Sequence, residues 1–167
     1  TGVVASGQVF PDALSVGTFA SREGYPILLV KKDSIPSQIQ NALKDLDINK
    51  TYIAGGTNTI SKSTETKLPN VVERMAGKTR YETSVAIAKS KFKDSKEAFI
   101  ASGEEFADAL VISPVSGKYN RPTLLVSTKE ANNGPVRAYV RDGKINKLIA
   151  IGGQRYVPSG IIYSLVK

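Results

Sequence analysis

The sequence has no cysteine, no histidine and no tryptophan. Without cysteine there are no disulfides, no thiol chemistry and no Cys-ligated zinc. Without histidine the chain lacks the commonest general base and metal ligand, so a Ser-His-Asp triad, a Cys-His pair and a His-bearing zinc site are all excluded within it. Without tryptophan the strongest stacking surface for bases or sugars is missing, and seven Tyr and five Phe remain. No apolar run approaches the ~18 residues that a membrane span needs. There is no recognisable signal peptide, and a chain that opens at Thr1 without Met is expected to be a processed or trimmed piece.

What is present supports a folded core. Hydrophobic residues make up 41% of 167 positions, which argues against disorder and fits one ordinary domain or two small ones. Lys and Arg number 23 against 15 Asp and Glu, a net charge of +8. Such an excess attracts polyanions: nucleic acid, an anionic lipid surface, or a polymer bearing phosphate or carboxylate. Plain solubility is the alternative reading, because the charges are scattered.

One stretch occurs twice. Ala5-Ser6-Gly7, Phe10, Asp12-Ala13-Leu14, Pro26 and Leu28-Leu29-Val30 recur, 96 positions later and without a gap, as Ala101-Ser102-Gly103, Phe106, Asp108-Ala109-Leu110, Pro122 and Leu124-Leu125-Val126. The matches include an aspartate and several small residues, which apolar bias alone would not align. A period near 100 residues means domain-sized copies and not a solenoid. Two modules follow: residues 1–70, lacking an opening segment, and residues 71–167, with Pro69-Asn70 as the linker. The second copy is preceded by Arg74 to Phe92 and the first by nothing equivalent. Either the chain begins inside the first copy, or that helix belongs to the first copy.

Hydrophobic patterning gives the class. Short apolar runs at Gly2–Ala5, Ile27–Val30, Lys50–Ala54, Ala98–Ala101, Thr123–Val126 and Lys147–Ile151 read as strands, with a further short one at Val71–Ala76. Between them, Pro11 to Gly24, Ser34 to Leu46, Ile60 to Leu68, Lys78 to Phe92, Ala107 to Gly117, Asn132 to Arg141 (weakened by Gly134-Pro135) and Pro158 to Val166 read as helices. The fold class is therefore α/β: two tandem related modules of short parallel strands alternating with helices. Ile27-Leu28-Leu29-Val30 is uninterruptedly apolar, as expected of a parallel strand covered on both faces.

In such sheets ligands sit beyond the carboxyl ends of the strands. Ser6-Gly7, Lys31-Lys32, Gly55-Gly56, Ser102-Gly103, Ser127-Thr128-Lys129 and Gly152-Gly153 all fall at such ends. That edge offers backbone N–H groups, hydroxyls and cations to an anion; equally, each glycine serves to turn the chain. Asp12 and Asp108 have the chemistry of a metal ligand or base, and also that of an acid stabilising a helix's first turn. Glu104 and Glu105 face Gln8 and Val9 in the other copy, so no duplicated acidic dyad exists, and neither copy carries a complete phosphate loop. Arg74, Lys78 and Arg80, with Tyr81, form the densest basic cluster and flank a helix start. Cations there oppose the helix dipole, so a carboxylate or a bound anion should compensate them. Arg121 and Arg155 are weaker candidates of the same kind.

The run Arg74-Met75-Ala76-Gly77-Lys78-Thr79-Arg80-Tyr81-Glu82-Thr83-Ser84-Val85-Ala86-Ile87-Ala88 resembles the opening of the type 2 cell-wall-binding repeat of Gram-positive bacteria. Phe99-Ile100-Ala101-Ser102-Gly103, Phe106-Ala107-Asp108-Ala109-Leu110, Pro122-Thr123-Leu124-Leu125-Val126 and Ile149-Ala150-Ile151-Gly152-Gly153 continue it. In the first copy Pro11-Asp12-Ala13-Leu14, Pro26-Ile27-Leu28-Leu29-Val30 and Tyr52-Ile53-Ala54-Gly55-Gly56 match from the strand onward. The resemblance implies compact α/β repeats, usually three in tandem about a three-fold arrangement, that hold a surface protein or autolysin non-covalently on an anionic wall polymer. About one and three-quarter repeats are present here. The family's leucine-rich strand motif falls on Ile27-Leu28-Leu29 and on Thr123-Leu124-Leu125, expected as core beneath the adjacent loop.

The expectation is thus a secreted, wall-located, non-catalytic module that binds an anionic glycopolymer, with further copies of the repeat as partners, and with no cofactor, no metal, no nucleic acid and no membrane insertion. Ligand contacts are expected from Arg74, Lys78, Arg80, Tyr81, Lys31, Lys32, Arg121 and Arg155, on loops formed by Ser6, Gly7, Asp12, Gly55, Gly56, Ser102, Gly103, Asp108, Gly152 and Gly153. The rivals are a metal-dependent phosphate- or nucleotide-handling enzyme using Asp12 and Asp108, and a nucleic-acid-binding module favoured by charge alone.

Overall fold

The computed structural model describes residues 1–143 and 145–167. Strands and helices alternate throughout. The first half runs β1 (Gly2–Ser6), α1 (Pro11–Glu23), β2 (Ile27–Val30), α2 (Ser37–Asp45), β3 (Thr51–Ala54), α3 (Lys62–Glu65), β4 (Val71–Met75) and α4 (Arg80–Lys91). The second runs β5 (Glu97–Ser102), α5 (Ala107–Lys118), β6 (Thr123–Val126), a 3-10 turn at Glu130–Asn133, α6 (Gly134–Asp142), β7 (Lys147–Ala150) and α7 (Ser159–Val166).

The strands form two all-parallel sheets, ordered β2-β1-β3-β4 and β6-β5-β7. The duplication is exact in register. Ala5 faces Leu29 and Ser6 faces Val30 in the first sheet, as Ala101 faces Leu125 and Ser102 faces Val126 in the second. β4 pairs with β3, so backbone hydrogen bonding carries the first sheet five residues past Asn70.

Local sequence explains the element ends. Pro11 and Pro135 occupy the first turns of α1 and α6, where the missing N–H costs nothing. Gly134-Pro135 therefore starts α6 instead of weakening it. Gly24 closes α1 in the left-handed conformation, and Thr79 caps α4 by accepting from Glu82 N. α3 is a single turn, shorter than the expected Ile60–Leu68, because Ser61 caps it and Thr66 already ends it.

Three clusters make the core. Val3, Ala5, Val16, Phe19, Met75, Ile87 and Phe92 fill the space between the first sheet and helices α1 and α4. Val4, Leu28, Ile35, Leu43, Ile53 and Ile60 fill its opposite face beneath α2 and α3. The third cluster joins the halves: Leu14 of α1 and Tyr81, Val85 and Ala88 of α4 pack with Ile100, Leu124, Leu125, Val136 and Ile161. Helices α1 and α5 share the most extensive helix–helix contact among the described residues, aided by small residues: an added Cβ at Gly17 would lie 2.8 Å from Ser113 Oγ, and one at Gly117 would lie 2.6 Å from Ser21 Oγ. Helix α4 touches α1 and β4 on one side and β6 and α6 on the other, so it belongs to both copies.

The two leucine-rich strands differ. All four residues of β6 are buried. In β2, Leu28 and Val30 are buried, but Ile27 and Leu29 are exposed, Leu29 by 45%. The expectation of a strand covered on both faces therefore fails for β2. The reason is the neighbour: α4 and Leu14 cover β6, and no described element stands in their place over β2.

Candidate functional site

The strand-end edge is built by the same hydrogen bonds in each copy. Ser6 Oγ accepts from the N–H groups of Gln8 and Val9 at 3.1 and 3.3 Å, and Ser102 Oγ accepts from those of Glu104 and Glu105 at 3.0 and 3.1 Å. Gly7 N–H donates to Val30 O, as Gly103 N–H donates to Val126 O. The next residue braces the neighbouring loop: Gln8 Oε1 accepts from Lys32 N at 2.9 Å, and Glu104 Oε1 accepts from Ser127 Oγ at 2.7 Å and Thr128 N at 3.3 Å. Glu104, which lacks an acidic counterpart in sequence, thus has a structural one in Gln8. The hydroxyls of Ser127 and Thr128 hold its carboxyl below the ordinary glutamate range.

Each aspartate sits against a glycine of its own copy. A Cβ at Gly55 would collide with Asp12 Oδ2, and one at Gly152 with Asp108 Oδ2; both glycines have φ of 110°. Only glycine tolerates both the dihedral and the approach. The turns that follow repeat too: Thr59 and Ile60 donate to Gly56 O, and Tyr156 and Val157 donate to Gly153 O.

The surroundings of the two aspartates then diverge. Asp12 is 7% exposed. Burial pushes its carboxyl above the ordinary aspartate range, against the lowering effects of a hydrogen bond from Thr83, the charge of Arg80 and a hydrogen bond from Thr59. Asp108 is half-buried, and no α4-like helix start lies over it among the described residues.

Over Asp12 lies a cleft of about 210 Å³, between the loops of the first sheet and the start of α4. Val9, Asp12, Asn58, Thr59, Lys78, Arg80 and Thr83 line it, with Gly56 and Gly77. Its α4 wall is fixed by Gly77 N–H donating to Thr83 Oγ1 at 3.1 Å and Lys78 N–H donating to Glu82 Oε2 at 2.6 Å. Asn58, Thr59 and Thr83 were not singled out by sequence; the available signal was Gly55-Gly56-Thr57-Asn58-Thr59 aligning with Gly152-Gly153-Gln154-Arg155-Tyr156.

The basic candidates separate by what already holds them. Arg74 is turned inward: Nη1 donates to Gly55 O at 2.8 Å and Nη2 to Glu65 Oε2 at 3.0 Å. Glu65, which hydrogen-bonds Lys62 and Arg74, is held below the ordinary glutamate range despite partial desolvation. Arg121 pairs with Glu97 at 2.6 Å and lies over the ring of Tyr119. Arg80 donates Nη1 to Gly103 O, crossing to the second copy. Tyr81 is buried beneath it. Lys31, Lys32, Lys78 and Arg155 are exposed, and among the described residues none of them is in an ion pair. The structure brings Lys78 and Arg80 to Asp12 and Gly56; Lys31 and Lys32 follow β2, and Arg155 follows Gly152-Gly153.

An edge of this kind is repeated on two parallel α/β units, each with an aspartate, a glycine turn and backbone N–H groups at its strand ends. The chain belongs to the family described as cell wall binding domain 2, whose model matches residues 1–65 and 74–162. It is a cell-wall-binding module. Among curated proteins it is 28% identical over 156 residues to the N-acetylmuramoyl-L-alanine amidase LytC of Bacillus subtilis, covering 92% of this chain and 31% of that protein. It is 33% identical over 127 residues to the Amidase enhancer of the same organism, covering 74% of this chain and 17% of that protein. Among solved structures, Cwp6 from Clostridium difficile superposes with a TM-score of 0.84 at 29% identity, over 98% of this chain and 27% of that one. Cwp8 from Clostridium difficile gives 0.76 at 31% identity, over 99% and 29%. The chain therefore spans less than a third of each of these relatives.

Proposed function

We propose that this chain is a non-catalytic module that holds a larger surface protein or autolysin on the cell wall by binding an anionic glycopolymer through its strand-end edge. The observation that carries this reading is the cleft over Asp12, rimmed by Lys78 and Arg80, on an edge that also presents the exposed Lys31, Lys32 and Arg155. Arg74 and Arg121 support the edge from within, through Glu65 and Glu97. Tyr81 supports it as core.

Further copies of the repeat are the partners that the packing favours. Leu14 is 5% exposed and packs in one cluster with Leu125, which is fully buried. Their repeat equivalents, Leu110 and Leu29, are 55% and 45% exposed. A groove lined by Ala13, Gly17, Ile27, Leu110 and Ser113 joins Leu110 to the exposed Ile27 of β2. A third copy, from the same parent chain or from another molecule, would present an α1-like helix to that groove and repeat the contact that joins the two copies here. Residues 1–70 and 71–167 are in this reading two repeat modules sharing α4, and many weak contacts gain strength from repetition. An amidase or other catalytic domain of the parent protein would lie outside this chain.

The test is affinity for purified wall polymer across salt. Exposed charges are screened over about 8 Å at physiological ionic strength and about 3 Å at 1 M. Binding should weaken severalfold between low and high salt; unchanged affinity overturns the electrostatic reading. Duplex DNA in the same assay should compete poorly, and equal retention of DNA would favour the nucleic-acid rival.

A further inference from the structure

We propose that the polymer subsite is made by the junction between copies and not by either copy alone: the cleft over Asp12 takes one polyhydroxylated unit bearing an anionic group, and the edge at Asp108 and Gly152 is the same half-site left open. This rests on the reading that the chain binds wall polymer.

The half-site has the same backbone frame in both copies. An aspartate in a helix's first turn lies against a glycine at φ 110°, followed by a turn closed on the next glycine's carbonyl. Among the described residues, only the first copy has a helix start, that of α4, laid over it. That segment comes from the far side of the linker and is anchored to the second copy, through Arg80 to Gly103 O and through Ser84 Oγ, which accepts from Leu125 N at 3.2 Å. The first copy thus supplies the floor and the segment leading into the second copy supplies the wall.

The chemistry of the cleft suits a sugar or polyol unit with a charge beside it. The Asp12 carboxyl and the Thr59 hydroxyl accept from ligand hydroxyls, and the Asn58 amide both donates and accepts. Lys78, exposed at the rim and without an ion pair among the described residues, faces the anionic group. A volume of about 210 Å³ is below the ~300–1,000 Å³ of sites that engulf a drug-sized ligand. It fits a single unit of a chain that continues into solvent on both sides. The open half-site has Gln154 and Arg155 where the complete one has Thr57 and Asn58; its Gly152 and Gly153 are exposed and its aspartate half-buried.

The experiment uses the ¹⁵N-labelled chain and soluble fragments released from purified walls by mild acid. Amide shifts are expected at Gly56, Thr59 and Lys78, with Gly153 and Gln154 unmoved. Lys78→Gln should weaken binding roughly tenfold, the scale of one charge-assisted hydrogen bond, and Thr59→Ala roughly threefold to fivefold, the scale of one neutral hydrogen bond. Asp108→Asn, at the open half-site, should stay within about twofold. Unchanged spectra of buried amides confirm that each variant is folded. Competition by glycerol phosphate oligomers assigns the anion as a phosphodiester, and competition by oligogalacturonate as a carboxylate; competition by neither overturns the anionic part of the assignment. Equal shifts at both half-sites, or no shift at the cleft from a chain that still pellets with intact walls, overturn the composite subsite while leaving wall binding standing. A chain that does not pellet with walls overturns the wall-binding reading itself.

Discussion

Strands β2 and β6 occupy the same place in their sheets and pair in the same register, yet one is half bare and the other sealed. Asp12 and Asp108 differ in the same way: each lies against its own glycine, but only Asp12 is roofed by α4. In both pairs the local sequence is nearly the same and the difference comes from the neighbour. Burial in this repeat is therefore set at the junction, and a copy is complete only where another copy touches it.

The comparison breaks most readily at its leucines. Leu14→Ala removes a buried side chain from the cluster that joins the halves and should cost about 2–5 kcal/mol; Leu110→Ala, on the bare equivalent, should stay within about 0.5 kcal/mol. Urea unfolding of the two variants measures this, and equal losses would mean that the second site is covered in solution. Gly55→Ala forces a side chain into a positive-φ position and against a roofed aspartate, a strain of about 1–3 kcal/mol. Gly152→Ala meets the same dihedral, but its half-buried aspartate has room to move, so its melting temperature should fall less. Ser84→Ala leaves the buried Leu125 N–H without its acceptor, at about 1–3 kcal/mol. No corresponding side chain over Leu29 exists among the described residues, so the first strand has no equivalent loss to suffer.

The smallest effect is in pH. Glu73 is held below the ordinary range because hydrogen bonds from Lys91 and Ser90 outweigh its desolvation, and Glu65 and Glu104 are lowered as well. A depressed folded value gives stability that is present above the unfolded value of about 4.3 and lost as pH falls through the folded one. Asp12 has the opposite sign: its folded value is raised, so the native state holds the proton more tightly and stability falls as pH rises from about 3.9 through the folded value. Asp12→Asn should therefore flatten the upper part of the pH–stability curve, and Glu73→Gln should flatten the acid limb.

Much of the fold was legible because the apolar runs, the prolines at helix starts and the 96-residue repeat all point the same way. Pro11-Asp12 and Pro26 mark a helix start and a strand start in one copy, and their partners do so in the other. What was not legible depends on contacts distant in sequence. Ile27 and Leu29 read as core because the chain cannot show that α4 lies over β6 and not over β2. Arg74 read as a ligand contact because its partners, Gly55 O and Glu65, lie 19 and 9 residues away across a strand pair. Asn58, Thr59 and Thr83 carry no signal of their own type; they line one cleft because the start of α4 lies over the loop after β3.

The central claim is that this module engages anionic wall polymer. Its most direct test is sedimentation of the chain with purified walls before and after chemical removal of their anionic polymers. The chain should pellet with intact walls and remain in the supernatant with stripped ones, and added salt should release it. Equal pelleting with intact and stripped walls would contradict the claim.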